Sequence, residues 1–137
     1  MKKNYWLLKS EPKTWSWDDQ VMEKIAMWDG VRNYQARNNF IKMKKGDLCF
    51  FYHSVSEKSI VGIVEVVKES YHDPTDKSGK FVAIDVKTKL KIKQAISLEI
   101  IKKTVGLTNI PLLKQSRLSV MPISNKEWNI IIKLSLN

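Results

Sequence analysis

The stretch "FVAIDVKTKLKIK", residues 81–93, alternates without a break. Val82, Ile84, Val86, Thr88, Leu90 and Ile92 fall on one side of an extended chain, and Asp85, Lys87, Lys89, Lys91 and Lys93 on the other. A helical period of 3.6 scatters these residues, whereas a strand period of 2 sorts them cleanly. The chain must therefore build a sheet containing a long strand with one apolar face and one wet, basic face. Apolar partners are at hand. "LCFFYH" (48–53) and "IVGIVEVV" (60–67), joined by the polar link "SVSEKS", read as two further strands.

Other elements follow from local signals. "YWLLKS" opens the chain as a strand ending at Ser10, and Pro12 keeps Glu11 out of a helix. Ser16 with Asp19 has capping spacing, so a short helix is expected from Trp17 to about Ile25, broken by "WDG". Residues 33–44 place Tyr34, Arg37, Ile41 and Lys44 on one helical stripe and Ala36, Phe40 and Met43 on another. "KKGD" is a turn and "HDPTDKSGK" (72–80) a loop. "SLEIIKK" reads as a helical turn and "SRLSVMPI" (116–123) as a last strand. Ser124 and Glu127 form a capping box that opens a closing helix. The expectation is one α+β domain over residues 1–137, built on a mostly antiparallel, barrel-like sheet. Its length suits a real core, and 43% apolar residues exclude a disordered chain.

The charge points outward to partners. Against 14 acids stand 24 basic residues, a formal net charge of +10. Residues 101–137 hold Lys102, Lys103, Lys114, Arg117, Lys126 and Lys133 but only one acid, Glu127. Such an excess suits a polyanion, nucleic acid before anionic membrane. A lysine-biased genome gives a similar skew, since only Arg32, Arg37 and Arg117 are arginines. The lone Cys49 rules out a disulfide within the chain and fits a reducing compartment. "MKKNYWLLKSEP" lacks the apolar core of a signal peptide, and no stretch approaches a membrane span. A cytoplasmic protein is expected, nuclear if its source has a nucleus, monomeric and with no membrane partner.

Reactive constellations are sparse. His53 and His72 are the only histidines, and Cys49 has no partner at ligand spacing, so no metal is expected. Ser54 follows His53 without a nucleophile-elbow pattern, and the five glycines form no phosphate loop. No catalytic residue and no cofactor is assigned. An enzymatic alternative would draw its acid or base from Glu11, Asp29 or His53. A protein-interaction module with incidental charge is a third reading.

Aromatic and polar interleaving is the stronger signal. Trp6, Trp15, Trp17, Trp28, Tyr34, Tyr52 and Tyr71 lie among Ser, Asn, Arg and His. A flat ring plus a few fixed hydrogen-bonding groups is what an unstacked nucleobase requires. Trp6 and Trp128 sit in regular apolar elements and are assigned to the core. Trp28, before Asp29–Gly30, is placed at a cavity rim. Arg32 and Arg37 are either solvated helix charges or phosphate contacts, and His53 is either a core imidazole or a pocket donor.

"YWLLKSEP", "SWDD", "WDGVRNYQARNNF", "MKKGD", "FFYHS", "VGIVEVV", "YHDPTD" and "QSRLSVMPI" occur in the order and spacing of the EVE domain family, which the chain resembles from Tyr5 to about Trp128. The resemblance implies a PUA-like fold, a pseudo-barrel with flanking helices, related to YTH, PUA and ASCH domains. It implies a reader of a modified base, with methylated or hydroxymethylated cytosine in DNA foremost. An ASCH-like enzyme on a modified nucleoside and a YTH- or PUA-like RNA binder are its alternatives. The implied pocket lies between Lys9, Ser10 and Glu11, the segment Trp28, Val31, Arg32, Asn33 and Tyr34, and Tyr52, His53 and Ser54, with Pro74 and Arg117 on the rim. Trp28 or Tyr34 would stack on the base, Asn33 and Ser10 would read its edge, and Arg32 with lysines would meet phosphates. The 72–81 loop is short where animal members carry longer insertions, and no fused nuclease- or helicase-like module is expected. The expectation is of a bare reader or of an effector supplied in trans.

Overall fold

A computed structural model describes residues 3–136. Met1, Lys2 and Asn137, at the ends of the span assigned to the domain, lie outside the described residues. The described residues form six strands and five helices. They run β1 (Tyr5–Ser10), α1 (Trp17–Glu23), β2 (Ile25–Trp28), α2 (Tyr34–Lys42), β3 (Leu48–His53), β4 (Ser59–His72), β5 (Val82–Ser97), α3 (Leu98–Lys103), α4 (Pro111–Lys114), β6 (Val120–Ile123) and α5 (Asn125–Ser135). The strands form one sheet in the order β2-β5-β4-β3-β1-β6. β1 and β3 pair in parallel, from Tyr5 opposite Leu48 to Ser10 opposite His53. The other pairings are antiparallel. No pairing of β2 with β6 closes the ladder among the described residues, and α2 packs on β4, β5 and β6 across that open side.

The central pair explains its own sequence. β1 and β3 are covered on both faces, so they read as apolar runs and not as alternations. On one face Trp128 of α5 stacks on Tyr5 and Phe50, at centroid distances of 4.3 and 3.9 Å. On the other, Phe51 meets Trp17 and Trp28 edge to face, at 5.3 and 5.5 Å. Buried Asp47 ties the corner together. Its carboxylate accepts from Trp6 Nε1 at 3.0 Å and from the Lys44 N–H at 2.9 Å. Cys49 is fully buried, and burial, with Asp47 nearby, pushes its thiol far above the usual range. It is a core side chain and not a nucleophile.

Several local expectations shift. The first helix ends at Glu23, because Lys24 turns the chain at φ 68° and residues 25–28 pair with β5. Strand β2 falls where the sequence reading ends the helix at about Ile25 and breaks it at "WDG", with no strand expected there. β4 and β5 run on to His72 and Ser97, and register shifts between them break the clean alternation. Leu90, expected on the buried face, is therefore exposed, and Asp85, expected on the wet face, accepts from the Tyr71 hydroxyl at 2.5 Å. The last strand begins only at Val120. Both capping boxes, Ser16 with Asp19 and Ser124 with Glu127, form as read.

Gly62 sits in β4 beside one of these shifts. A Cβ at this position would come within 2.4 Å of the ring carbons of Trp17. The missing side chain is what lets Trp17 lie against the sheet. Gly62→Ala should destabilise the fold by about 1–3 kcal/mol through overpacking, read as a lower denaturant midpoint with unchanged slope. An unaltered midpoint would show that the Trp17 ring has room to move.

Candidate functional site

A cavity of about 720 Å³ opens where the C-terminal end of β1 faces β2. Lys9, Ser10 and Glu11 form one side, Thr14 and Trp15 continue it, and Glu23, Ile25, Ala26, Met27, Trp28, Asp29 and Val31 form the other. The first wall is held by short-range bonds. The backbone N–H groups of Thr14 and Trp15 donate to the Glu11 carbonyl, both at 2.9 Å. The Ser10 hydroxyl donates to the Trp15 carbonyl. Trp15 Nε1 donates to buried Gln20 at 3.0 Å, which leaves the indole half-buried at the cavity. Thr88 pins the turn into β2 by donating from its hydroxyl to the Gln20 carbonyl at 2.8 Å.

The second wall is held from outside. After β2 the chain reverses at Gly30, whose φ of 77° suits glycine. Asp73, fully buried, accepts from Gly30 N–H at 2.8 Å, from Arg32 Nη1 at 3.0 Å, and from Thr75 through its N–H at 2.8 Å and its hydroxyl at 2.6 Å. Burial works against ionisation of Asp73. The bonds from Thr75, Gly30 and Arg32 outweigh it and bring its pKa down to about 2. Asp76 braces the same loop, accepting from Ser78, Lys80 and Phe81.

Of the thirteen residues expected at the site, Lys9, Ser10, Glu11, Trp28 and Val31 line the cavity. The other eight do not, for identifiable reasons. Arg32 is spent on Asp73 and on the Thr75 hydroxyl, at 2.9 Å. The Asn33 side chain caps α2, accepting from Ala36 N–H at 2.9 Å. Tyr34 packs beside Phe81, at 5.0 Å, under the guanidinium of Arg37. Tyr52 is buried in the core. His53 is buried beneath the first wall: its Nε2 accepts from the Trp17 N–H at 2.9 Å, so the proton sits on Nδ1, which lies 3.2 Å from Glu57 without a well-formed hydrogen bond. Ser54 donates its N–H to the Ser10 carbonyl at 2.9 Å. Pro74 is exposed in the Asp73 loop. Arg117 is exposed on a separate groove of about 330 Å³.

Thr14 and Trp15 on the first wall, and strand β2 and its flanks with Glu23, Ile25, Ala26, Met27 and Asp29, are the lining that sequence reading did not assemble. Burial alternates along β2, with Ala26 and Trp28 buried and Ile25 and Met27 exposed, but all four residues are apolar, so the sequence carries no alternation to set against the helical signal before it. The cavity's charge is distinctive: one lysine, Lys9, faces three carboxylates, Glu11, Glu23 and Asp29. Lys9 is half-buried, burial lowers its pKa, and its Nζ donates to the Ser116 carbonyl at 2.9 Å. Among the described residues no cluster of three metal-ligating side chains exists, and no helix is long and apolar enough to cross a membrane.

A six-stranded sheet with one parallel central pair and helices closing its open side is a PUA-like α+β arrangement. The EVE domain signature matches residues 4–134, and the chain belongs to the EVE domain family. It is 36% identical to thymocyte nuclear protein 1 of Mus musculus over 165 aligned positions, covering 96% of this chain and 73% of that protein. Among solved structures, Rpa0253 of Rhodopseudomonas palustris is 45% identical with a TM-score of 0.91, covering 96% of this chain and 92% of that one. Human THYN1, solved in complex with 5-methylcytosine containing DNA, is 32% identical with a TM-score of 0.88, covering 98% and 99%. The YTH domain of Zygosaccharomyces rouxii MRB1 shares the fold at 16% identity and a TM-score of 0.58, covering 97% and 86%.

The Asp73 brace makes an acid-sensitive prediction. A carboxyl group whose folded pKa is depressed contributes stability that is full above its unfolded value, about 3.9, and is lost as pH falls through its folded value. For Asp73 that window runs from about 4 down to about 2. Asp73→Asn should cost about 1–3 kcal/mol at neutral pH. Its deficit against the parent should shrink across that window, measured by denaturant unfolding at each pH. A deficit that stays constant would remove the charge of Asp73 from the account.

Proposed function

We propose that the chain is a non-enzymatic reader of a modified nucleobase, and that the base occupies the cavity between Lys9 and Trp28. Methylated or hydroxymethylated cytosine in DNA is the first candidate. The cavity's mixed lining carries this reading. Ile25, Ala26, Met27 and Val31 offer apolar contact for a methyl substituent. Glu11, Glu23 and Asp29 offer acceptors for an exocyclic amino group of the cytosine type. The half-buried Trp15 gives an aromatic surface. Trp28, only 8% exposed and already packed on Phe51, contributes a rim. The volume lies in the range of small-ligand sites. Three carboxylates against one lysine repel a phosphate, so the base and not the backbone enters.

The human THYN1 complex supports this reading because that relative covers nearly the whole chain. A base inside a duplex cannot reach such a cavity, so the ligand arrives flipped out or single-stranded. Recognition without turnover suits the site: the Nε2 lone pair of His53 is occupied by Trp17, and the lining carboxylates suffice as acceptors.

The test is titration with matched oligonucleotides carrying cytosine, 5-methylcytosine or 5-hydroxymethylcytosine at one position, as DNA and as RNA, at several salt concentrations. Salt-dependent binding that favours a modified base is expected. Equal binding of modified and unmodified strands would overturn base reading. A nucleoside product seen by mass spectrometry would overturn the non-enzymatic part. Trp15→Ala should weaken modified-strand binding by about 5- to 150-fold, the equivalent of about 1–3 kcal/mol of base stacking, whereas Trp15→Phe should retain most of it.

A further inference from the structure

Of the three arginines, Arg32 and Arg37 are committed. Arg32 holds Asp73 and Thr75, and Arg37 bonds Asn38 and the Lys80 carbonyl at 3.2 Å. Arg117 forms no hydrogen bond or ion pair with the described residues, and neither does the ammonium group of Lys114. Both are exposed and line the 330 Å³ groove together with Asn33, Gln35, Gln115 and Ser116. No carboxylate lines it, in contrast to the cavity at Trp28.

The two hollows share a seam. Lys9 lines the cavity, and its Nζ donates to the carbonyl of Ser116, which lines the groove. Val31 lines the cavity and Asn33 lines the groove, two residues and at most about 7 Å of backbone apart. An acidic hollow that refuses phosphate thus adjoins a cationic one that welcomes it. We propose that this groove holds a backbone phosphodiester of the strand whose base enters the cavity, with Arg117 as the bidentate contact and Lys114 as the point charge. The proposal rests on the base-reading function above and adds to it the path of the sugar–phosphate backbone. Phosphate contacts set register and orientation and carry no sequence information themselves.

The experiment compares four forms of the full chain: parent, Lys114→Gln/Arg117→Gln, Arg117→Lys, and Lys126→Gln/Lys133→Gln. The last removes the same charge from α5, whose residues line neither hollow. Affinity for the modified and unmodified oligonucleotides is measured against salt. Removing both groove cations should lower the slope of log affinity on log salt by about 0.7–0.9, the loss of one phosphate contact, with the ratio of modified to unmodified binding unchanged. Arg117→Lys should keep the slope and lose part of the affinity. A slope unchanged in the groove variant, or lowered equally by the α5 variant, overturns the proposal. If the parent shows no base preference but the groove variant still loses slope, base reading fails and the phosphate site stands. If the parent binds no oligonucleotide, both fall.

Discussion

Phe51 is the side chain on which the site depends. It is fully buried in β3, and Trp17, Trp28 and His53 meet it edge to face. Trp28 is thereby packed into the core, and β2, paired with β5, lies across the cavity from the end of β1. Trp17 is fixed twice more, by the missing side chain at Gly62 and by its N–H bond to His53. The aromatic cluster turns a bend between two strands into a hollow of defined width. Edge-to-face ring pairs contribute about 0.5–1.5 kcal/mol each beyond simple burial, so several on one ring make a stiff wall.

Charge is distributed by the same logic. The chain carries +10 overall, yet the cavity is lined by more acids than bases. The excess positive charge lies elsewhere, including the acid-free groove at Lys114 and Arg117. A uniformly basic surface would bind any polyanion. Separating an acceptor-rich hollow from a cation-rich one distinguishes where a base and where a phosphate is stabilised. The arginines divide accordingly: two brace the structure and one faces solvent.

What was legible in the sequence was short-range. The capping boxes at Ser16 and Ser124 depend on a partner three residues away, and both formed. The strand from 82 onward follows from side-chain periodicity, and the strand at 48–53 and the core placement of Trp6 and Trp128 follow from apolar runs. Candidate site residues fared according to reach. Lys9, Ser10 and Glu11 are consecutive at a strand end and came together with Trp28 and Val31. Arg32, Asn33 and His53 looked equally suited to a ligand, but each is consumed by a structural bond: to Asp73, to the first turn of α2, and to Trp17.

The sequence by itself determined the α+β class, the basic balance and the family, because these rest on composition, period and ordered motifs within neighbouring residues. Only the tertiary structure decided which polar groups remain free. Asp73 lies 43 residues from Gly30, and His53 lies 36 from Trp17. A hydrogen bond across such a separation is set by how the sheet curves and not by any local pattern. A polar side chain becomes available to a ligand only after the fold has satisfied its own buried donors and acceptors. That accounting left Asp29 and Arg117 facing open space, and it spent several of the residues whose chemistry had first drawn notice.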